Sequence, residues 1–153
     1  GIGYVEENPM PRFYRQAPLN SIWEGSGNVQ CLDVLRALAK EPNVKEALFS
    51  ELKTQAGKNK HYDIHLSKLF DELSNTQNME TRSRYLTEQM ALALQACTLL
   101  ATCTFLAKEN VHNDIAHTFC ESRLGNACGF ALGTLPDTTP FEKIIARGQV
   151  SSS

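Results

Sequence analysis

The chain has 153 residues, of which 42% are hydrophobic and 21% are charged. This balance allows a buried core and excludes a disordered chain. The formal net charge is −2, so no overall excess of basic residues indicates binding to nucleic acid or to an anionic membrane. The length corresponds to one domain, or to one domain and a further piece.

The first predicted helix is short and covers 9–16, because proline is tolerated in the first turn of a helix. A second helix follows Ser26, a good N-cap residue, and ends near Pro42. Its apolar stripe recurs at helical spacing and contains Val29, Leu32, Leu35, Ala37 and Leu38. A third amphipathic helix starts near Pro42 and is expected to stop at Gly57, a typical C-terminal cap.

A fourth helix is predicted over 62–73. Its expected inward side chains are Ile64, Leu66, Leu69, Phe70 and Leu73. The longest helix is predicted over 79–110, and its second half is apolar nearly all round, so we expect it at the centre of a bundle. Later helices are predicted from Asn113 or Asp114 through Leu124 and over 141–147. No strand pattern is found, which predicts an all-α antiparallel helical bundle.

The longest uncharged run covers 89–107, which is long enough to span a membrane. It contains two glutamines and three threonines and few large aliphatic residues. Polar groups of this kind make insertion costly, so we favour a buried bundle helix over a membrane span.

Five cysteines and four histidines are candidate metal ligands. The cysteines are Cys31, Cys97, Cys103, Cys120 and Cys128, and no pair has the short spacing of a zinc site. Buried free thiols in a reducing compartment, cytoplasm or mitochondrion, are the favoured interpretation. His61 and His65 share a helix face, but the only nearby third ligand, Asp63, points elsewhere. We therefore expect surface or helix-end positions for these two and for His112 and His117, and no metal.

The stretch "SIWEGSGNVQ" places Glu24 between Trp23 and a Gly-Ser-Gly turn, directly before the second helix. Gly25 and Gly27 leave room for a ligand beside the main chain, and free N–H groups at the helix start favour electron-rich atoms. A carboxylate shielded by an apolar wall suits proton abstraction. On these residues alone, however, a helix-bracketing role for the acid and a simple turn for the glycines fit better.

The wider context of this turn resembles the C-terminal end of flavin-dependent acyl-CoA dehydrogenases. The resemblance lies in three blocks with matching spacing: "GIGY", "YRQAPL" and "WEGSGN". Gln16 stands where the family usually has aspartate, and Trp23 where it usually has tyrosine. The later sequence "AHTFCESRLGNACGFALGTLPDTTPFEKIIARG" resembles the end of the helical extension in the AidB-like branch.

The resemblance implies a reaction and a set of site residues. Glu24 would remove the α-proton of an acyl-CoA thioester, and Gly25 would contact the thioester end of the substrate. Ser26, Gly27 and Asn28 would lie against FAD, the hydride acceptor. Gly1 would lie at the edge of a stretch that contacts the flavin of a neighbouring subunit. The family also implies a homotetramer in the full-length protein and a role in fatty acid metabolism.

The resemblance further implies three segments: 1–41 as the end of the dehydrogenase C-terminal helical domain, 42–148 as an AidB-like helical extension and 149–153 as a tail. We expect the chain to be part of a longer protein and, alone, neither to hold FAD tightly nor to oxidise acyl-CoA.

DNA binding is the alternative function, because the AidB-like branch is associated with DNA repair or protection. Phosphate binding requires clustered Lys and Arg, and the extension carries no net positive charge. Its one basic cluster contains Lys53, Lys58 and Lys60, which is more typical of a solvated loop. A third interpretation is assembly, with the long helix 79–110 packing between subunits rather than within one.

Overall fold

The computed structural model describes residues 1–23, 26–105, 110–125, 133 and 135–149. Over these residues the protein is helical without any strand, so the predicted all-α class is confirmed. Its α-helices are α1 (Met10–Gln16), α2 (Gly27–Lys40), α3 (Pro42–Lys53), α4 (Lys60–Ser74), α5 (Ser83–Phe105), α6 (Asn110–Leu124) and α7 (Phe141–Arg147).

Helix α5 is central, as its apolar composition predicts: it packs against α2, α3, α4 and α6. Its buried side chains recur every three or four residues and therefore lie on one face. They are Leu86, Met90, Ala93, Ala96, Cys97 and Leu100. The two alanines are fully buried and leave little side chain between helices, which allows close approach of the neighbouring backbones.

Helix α4 begins at Lys60, two residues earlier than predicted, because Asn59 caps it. The Asn59 side-chain oxygen accepts hydrogen bonds from the backbone N–H groups of His61 and Tyr62. The buried face of this helix consists of Tyr62, His65, Leu66, Leu69 and Leu73. The expectation for Ile64 is wrong: its side chain is 51% exposed, because two residues after Tyr62 a helix has turned by about 200°.

Three predicted helix boundaries are also wrong. Helix α5 starts at Ser83 rather than near 79, because Asn78 has a left-handed φ of 51° and the following residues form turns. Helix α6 starts at Asn110 rather than at 113 or 114. Helix α3 ends at Lys53, and turns follow as far as Gly57, whose φ of 81° explains the glycine there.

The N-terminal segment, residues 1–23, forms a 3₁₀ helix (Ile2–Tyr4), α1 and a second 3₁₀ helix (Ala17–Ser21). Helix α1 packs mainly against these two 3₁₀ helices. Several large apolar side chains of the segment are exposed, among them Tyr4, Phe13, Tyr14, Ile22 and Trp23. The segment therefore leads to α2 as a peripheral strip with an apolar surface, and the predicted site lies where the two meet.

Candidate functional site

The predicted catalytic turn lies between Trp23 and α2. The Trp23 side chain is 60% exposed at the end of the N-terminal segment. Glu24 and Gly25, the predicted base and substrate contact, lie outside the described residues. Their roles therefore stay predictions. The residues that flank them are Trp23 and the first turn of α2.

The N-terminus of α2 carries the predicted cofactor contacts. Ser26 occupies the N-cap position, as predicted, but its side chain makes no capping hydrogen bond. The first turn of α2 contains no acidic residue, and Gly27 and Asn28 are exposed. The leading N–H groups of a helix have no acceptor within the helix. Since the Ser26 side chain does not cap them, this end of α2 offers hydrogen-bond donors and a positive dipole end.

Arg84, in the first turn of α5, reaches the same helix end. Its Nη1 atom donates to Oδ1 of Asn28 at 3.1 Å. Its Nη2 atom lies 3.6 Å from the place that a Cβ on Gly27 would take. Sequence reasoning missed this residue, because 56 positions separate it from Asn28 and no local pattern connects the two.

Gly1 lies at the start of the N-terminal segment. Its carbonyl oxygen accepts a hydrogen bond from the Tyr4 backbone N–H at 3.0 Å. No atom lies within 4 Å of the position that a Cβ on Gly1 would occupy. A contact of Gly1 with a flavin from another subunit stays a prediction.

The expectation of surface or helix-end histidines is wrong for His65. This side chain is buried on α4, and its Nε2 atom lies 3.0 Å from the Gln89 carbonyl oxygen of α5. Because the carbonyl is an acceptor, Nε2 carries the proton. Burial lowers the pKa of His65, the Gln89 hydrogen bond raises it less, and the charge of Lys68 adds to the lowering.

His117 and Asp63 also have structural contacts. His117 on α6 lies with its Nδ1 atom 2.8 Å from the Asn59 side-chain nitrogen. Asp63 accepts a hydrogen bond from the Gly57 backbone N–H. Within the part of the chain that the structure describes, no group of three or more potential ligands could hold a metal ion. The side chain of His112 lies outside the described residues.

The thiols lie mainly in the helical core. Cys31, Cys97 and Cys120 are buried, Cys103 is half-buried, and Cys128 lies outside the described residues. Burial raises the pKa of Cys120 to about 11, with a smaller contribution from Cys103. A thiol of this kind stays protonated at neutral pH and is a poor nucleophile.

The basic cluster is only partly a free charged surface. Lys53 ends α3 with its Nζ atom 5.5 Å from the centre of the Phe70 ring, a cation–π contact. Lys58 and Lys60 are exposed beside the start of α4. These positions neither test nor favour the DNA-binding alternative.

None of the helices in the described part of the chain combines the length and apolar character needed to span a membrane. Two threonines of α5 donate to backbone carbonyls one turn earlier, Thr98 to Leu94 and Thr102 to Thr98.

A comparison with known protein families shows which family the first part of the chain resembles. A sequence model of the acyl-CoA dehydrogenase C-terminal domain matches residues 1–39, which include the N-terminal segment, the turn and most of α2. Residues 1–39 are therefore similar to the C-terminal domain of acyl-CoA dehydrogenases, as the resemblance of the three sequence blocks predicts.

Two individual relatives show which branch of this family the chain resembles. The chain is 42% identical over 92 residues to the acyl-CoA dehydrogenase-type protein AidB of Escherichia coli (strain K12), covering 60% of this chain and 17% of that protein. It is 37% identical over 68 residues to acyl-CoA dehydrogenase family member 11 of Caenorhabditis elegans, covering 44% of this chain and 11% of that protein. The AidB-like resemblance is confirmed, and the chain matches less than a fifth of either relative's length.

Proposed function

We propose that this chain supplies the base-carrying turn of a flavin-dependent acyl-CoA dehydrogenase, which introduces an α,β double bond into acyl-CoA thioesters. The observation that carries the proposal is the family match over residues 1–39, because it contains the turn with Glu24. The Ser26 side chain does not cap the N-terminus of α2 directly after this turn, which agrees with a site that receives an electron-rich ligand.

The residues at the start of α2 fit the requirements of a flavin. An isoalloxazine ring has hydrogen-bond acceptors along its edge, and α2 offers N–H donors that the Ser26 side chain does not cap. Gly27 adds no side chain between these donors and a ligand. Ser26, Gly27 and Asn28 would hold the cofactor here, and Gly1 would approach a flavin of a neighbouring subunit. FAD, when bound, supplies the hydride acceptor.

The acid would act on the substrate's α-carbon. In this proposal the Glu24 carboxylate accepts the α-proton, while backbone N–H groups of the turn hydrogen-bond to the thioester carbonyl and make that proton more acidic. Gly25 would lie against the thioester end, where a side chain would obstruct approach. Trp23 gives this turn a large apolar neighbour that excludes water from the carboxylate when covered.

The N-terminal segment also supports a proposal about assembly. Eight of the fifteen exposed large apolar side chains of the described chain lie in this segment, and a ninth, Val29, lies in the first turn of α2. Concentrated apolar exposure marks a surface that packs against other protein. We infer that this strip is covered in the longer protein, by its own remaining domains or by the other subunits of a homotetramer.

The test uses the longer protein that contains this chain, with Glu24→Gln as the variant and Glu41→Gln as control. Glu41 is exposed at the opposite end of α2, so its substitution leaves the turn intact. Removing a general base costs about 10²–10⁴-fold in rate. We expect a loss of this size in flavin reduction by acyl-CoA for Glu24→Gln alone, with FAD content unchanged. Full rate in that variant would show that Glu24 is not the base.

A further inference from the structure

Arg84 stands where helix electrostatics disfavour a positive charge. It is the second residue of α5, beside the positive end of that helix dipole. Arg82, immediately before the helix, has an acidic partner in Glu72 and also donates to the carbonyl oxygens of Asn75 and Gln77. Arg84 instead donates to a neutral amide, the side chain of Asn28. Within the described residues the contact pairs no opposite charges, and a positive charge in the first turn of α5 does not stabilise that helix.

The chemistry of the contact fixes the orientation of the Asn28 amide. A guanidinium has five N–H donors and no acceptor, so only the carbonyl oxygen of the amide can face it. With Oδ1 held at 3.1 Å from Arg84, the NH₂ group of Asn28 is directed away from the guanidinium. Asn28 is exposed, in the first turn of α2, and so presents two N–H donors beside the N-terminus of that helix, which the Ser26 side chain does not cap.

We propose that Arg84 is a positioning residue, which orients the Asn28 amide as a hydrogen-bond donor to an acceptor atom of the bound cofactor. Arg84 lies outside residues 1–39, so the helical extension completes a site that the dehydrogenase segment begins. The choice of ligand rests on the proposed function, whereas the orientation of the amide rests only on the geometry of Arg84 and Asn28.

The orientation is tested on the full 153-residue chain by NMR of ¹⁵N-labelled protein. Arg84→Gln, whose side chain is too short to reach Asn28, should shift the side-chain NH₂ resonances of Asn28 and the backbone amide of Gly27. Arg84→Lys should shift them less, because its longer, charged side chain keeps a donor within reach. Arg36→Gln is the matched control: Arg36 is an exposed arginine of α2 paired with Asp33. Unchanged Asn28 resonances in Arg84→Gln would overturn the proposal, whatever the flavin data show.

The role of the donor is tested in the longer protein by calorimetric titration of the apo form with FAD. Asn28→Asp keeps the contact with Arg84 but replaces the NH₂ group by an acceptor. We expect about tenfold weaker binding, typical for one hydrogen bond left unmade. Arg84→Gln should weaken binding less, and the double variant no more than Asn28→Asp alone, since both changes act through one amide.

The two tests separate the failures. If Asn28→Asp binds FAD as tightly as the unchanged protein, the donor role is refuted while the proposed function stands. If the unchanged longer protein takes up no FAD, the proposed function fails and the cofactor half of this inference fails with it. The amide orientation then stands or falls on the NMR result alone.

Discussion

The hydroxyl of Tyr62 provides the sharpest test of how the bundle is stabilised. Tyr62 is fully buried on α4, and its hydroxyl donates to the Leu52 carbonyl oxygen at 2.7 Å. Leu52 lies in the last turn of α3, where carbonyl groups lack partners within the helix. The bond therefore satisfies a helix end and connects α3 to α4.

The substitution Tyr62→Phe removes the donor and leaves the ring in place. The Leu52 carbonyl then stays buried without its partner, which should lower the free energy of unfolding by about 1–2 kcal/mol. For a chain of this length, each kcal/mol corresponds to about 2–4 °C in Tm. The exposed Tyr85 on α5 supplies the control, because Tyr85→Phe removes a hydroxyl at a side chain that is 46% exposed.

The assay is urea unfolding followed by circular dichroism at 222 nm, with the m-value compared between variants. Burial also raises the pKa of Tyr62 well above its ordinary value, so alkaline titration at 295 nm should show one tyrosine that ionises only on unfolding. That late step should vanish in Tyr62→Phe. Equal stability of Tyr62→Phe and Tyr85→Phe would refute the assignment of the hydroxyl to the helix end.

Two further predictions concern two buried polar side chains, His65 on α4 and Asn59 at its N-cap. Because burial lowers the pKa of His65, the unfolded chain binds this proton more readily, so the free energy of unfolding should fall as the pH drops below about 6.5, the unfolded pKa. A pH series of urea unfolding checks this, and the variant His65→Gln should lose that part of the decline. Identical pH profiles of the two proteins would contradict the prediction. Asn59→Ala should destabilise by about 1 kcal/mol through the lost cap. Asn59→Asp, which keeps the capping acceptor, should recover most of that loss in the same assay; no recovery would assign the loss to the His117 contact instead.

The sequence predicts the helices well where the apolar period is long. The central place of α5 and the core positions Leu66, Leu69 and Leu73 follow from spacing alone. Helix boundaries depend on single residues, and the apolar period carries no information about these. Asn59 moves the start of α4 by its cap, and Asn78 delays α5 by its left-handed backbone.

The candidate site shows a different limit. The turn before α2 is predicted to be a site from the resemblance of three nearby sequence blocks, because its own residues alone favour a helix-bracketing role for Glu24. Arg84 and His65 are recognised only in three dimensions. A guanidinium 56 positions away meets Asn28 through the packing of α5 on α2. His65 is buried because it shares the face of α4 that packs into the bundle with Tyr62 and Leu69. Such contacts depend on tertiary packing, which one sequence does not reveal.

The exposure of Trp23 gives the protein a built-in optical reporter. It is the single tryptophan of the chain, and it stands directly before the predicted base. An indole in water emits at long wavelength, so native emission should already resemble that of unfolded protein and should follow the arrival of anything that covers the turn. A blue shift or quenching on adding a ligand or a missing domain would therefore report occupancy of this one place, without any label.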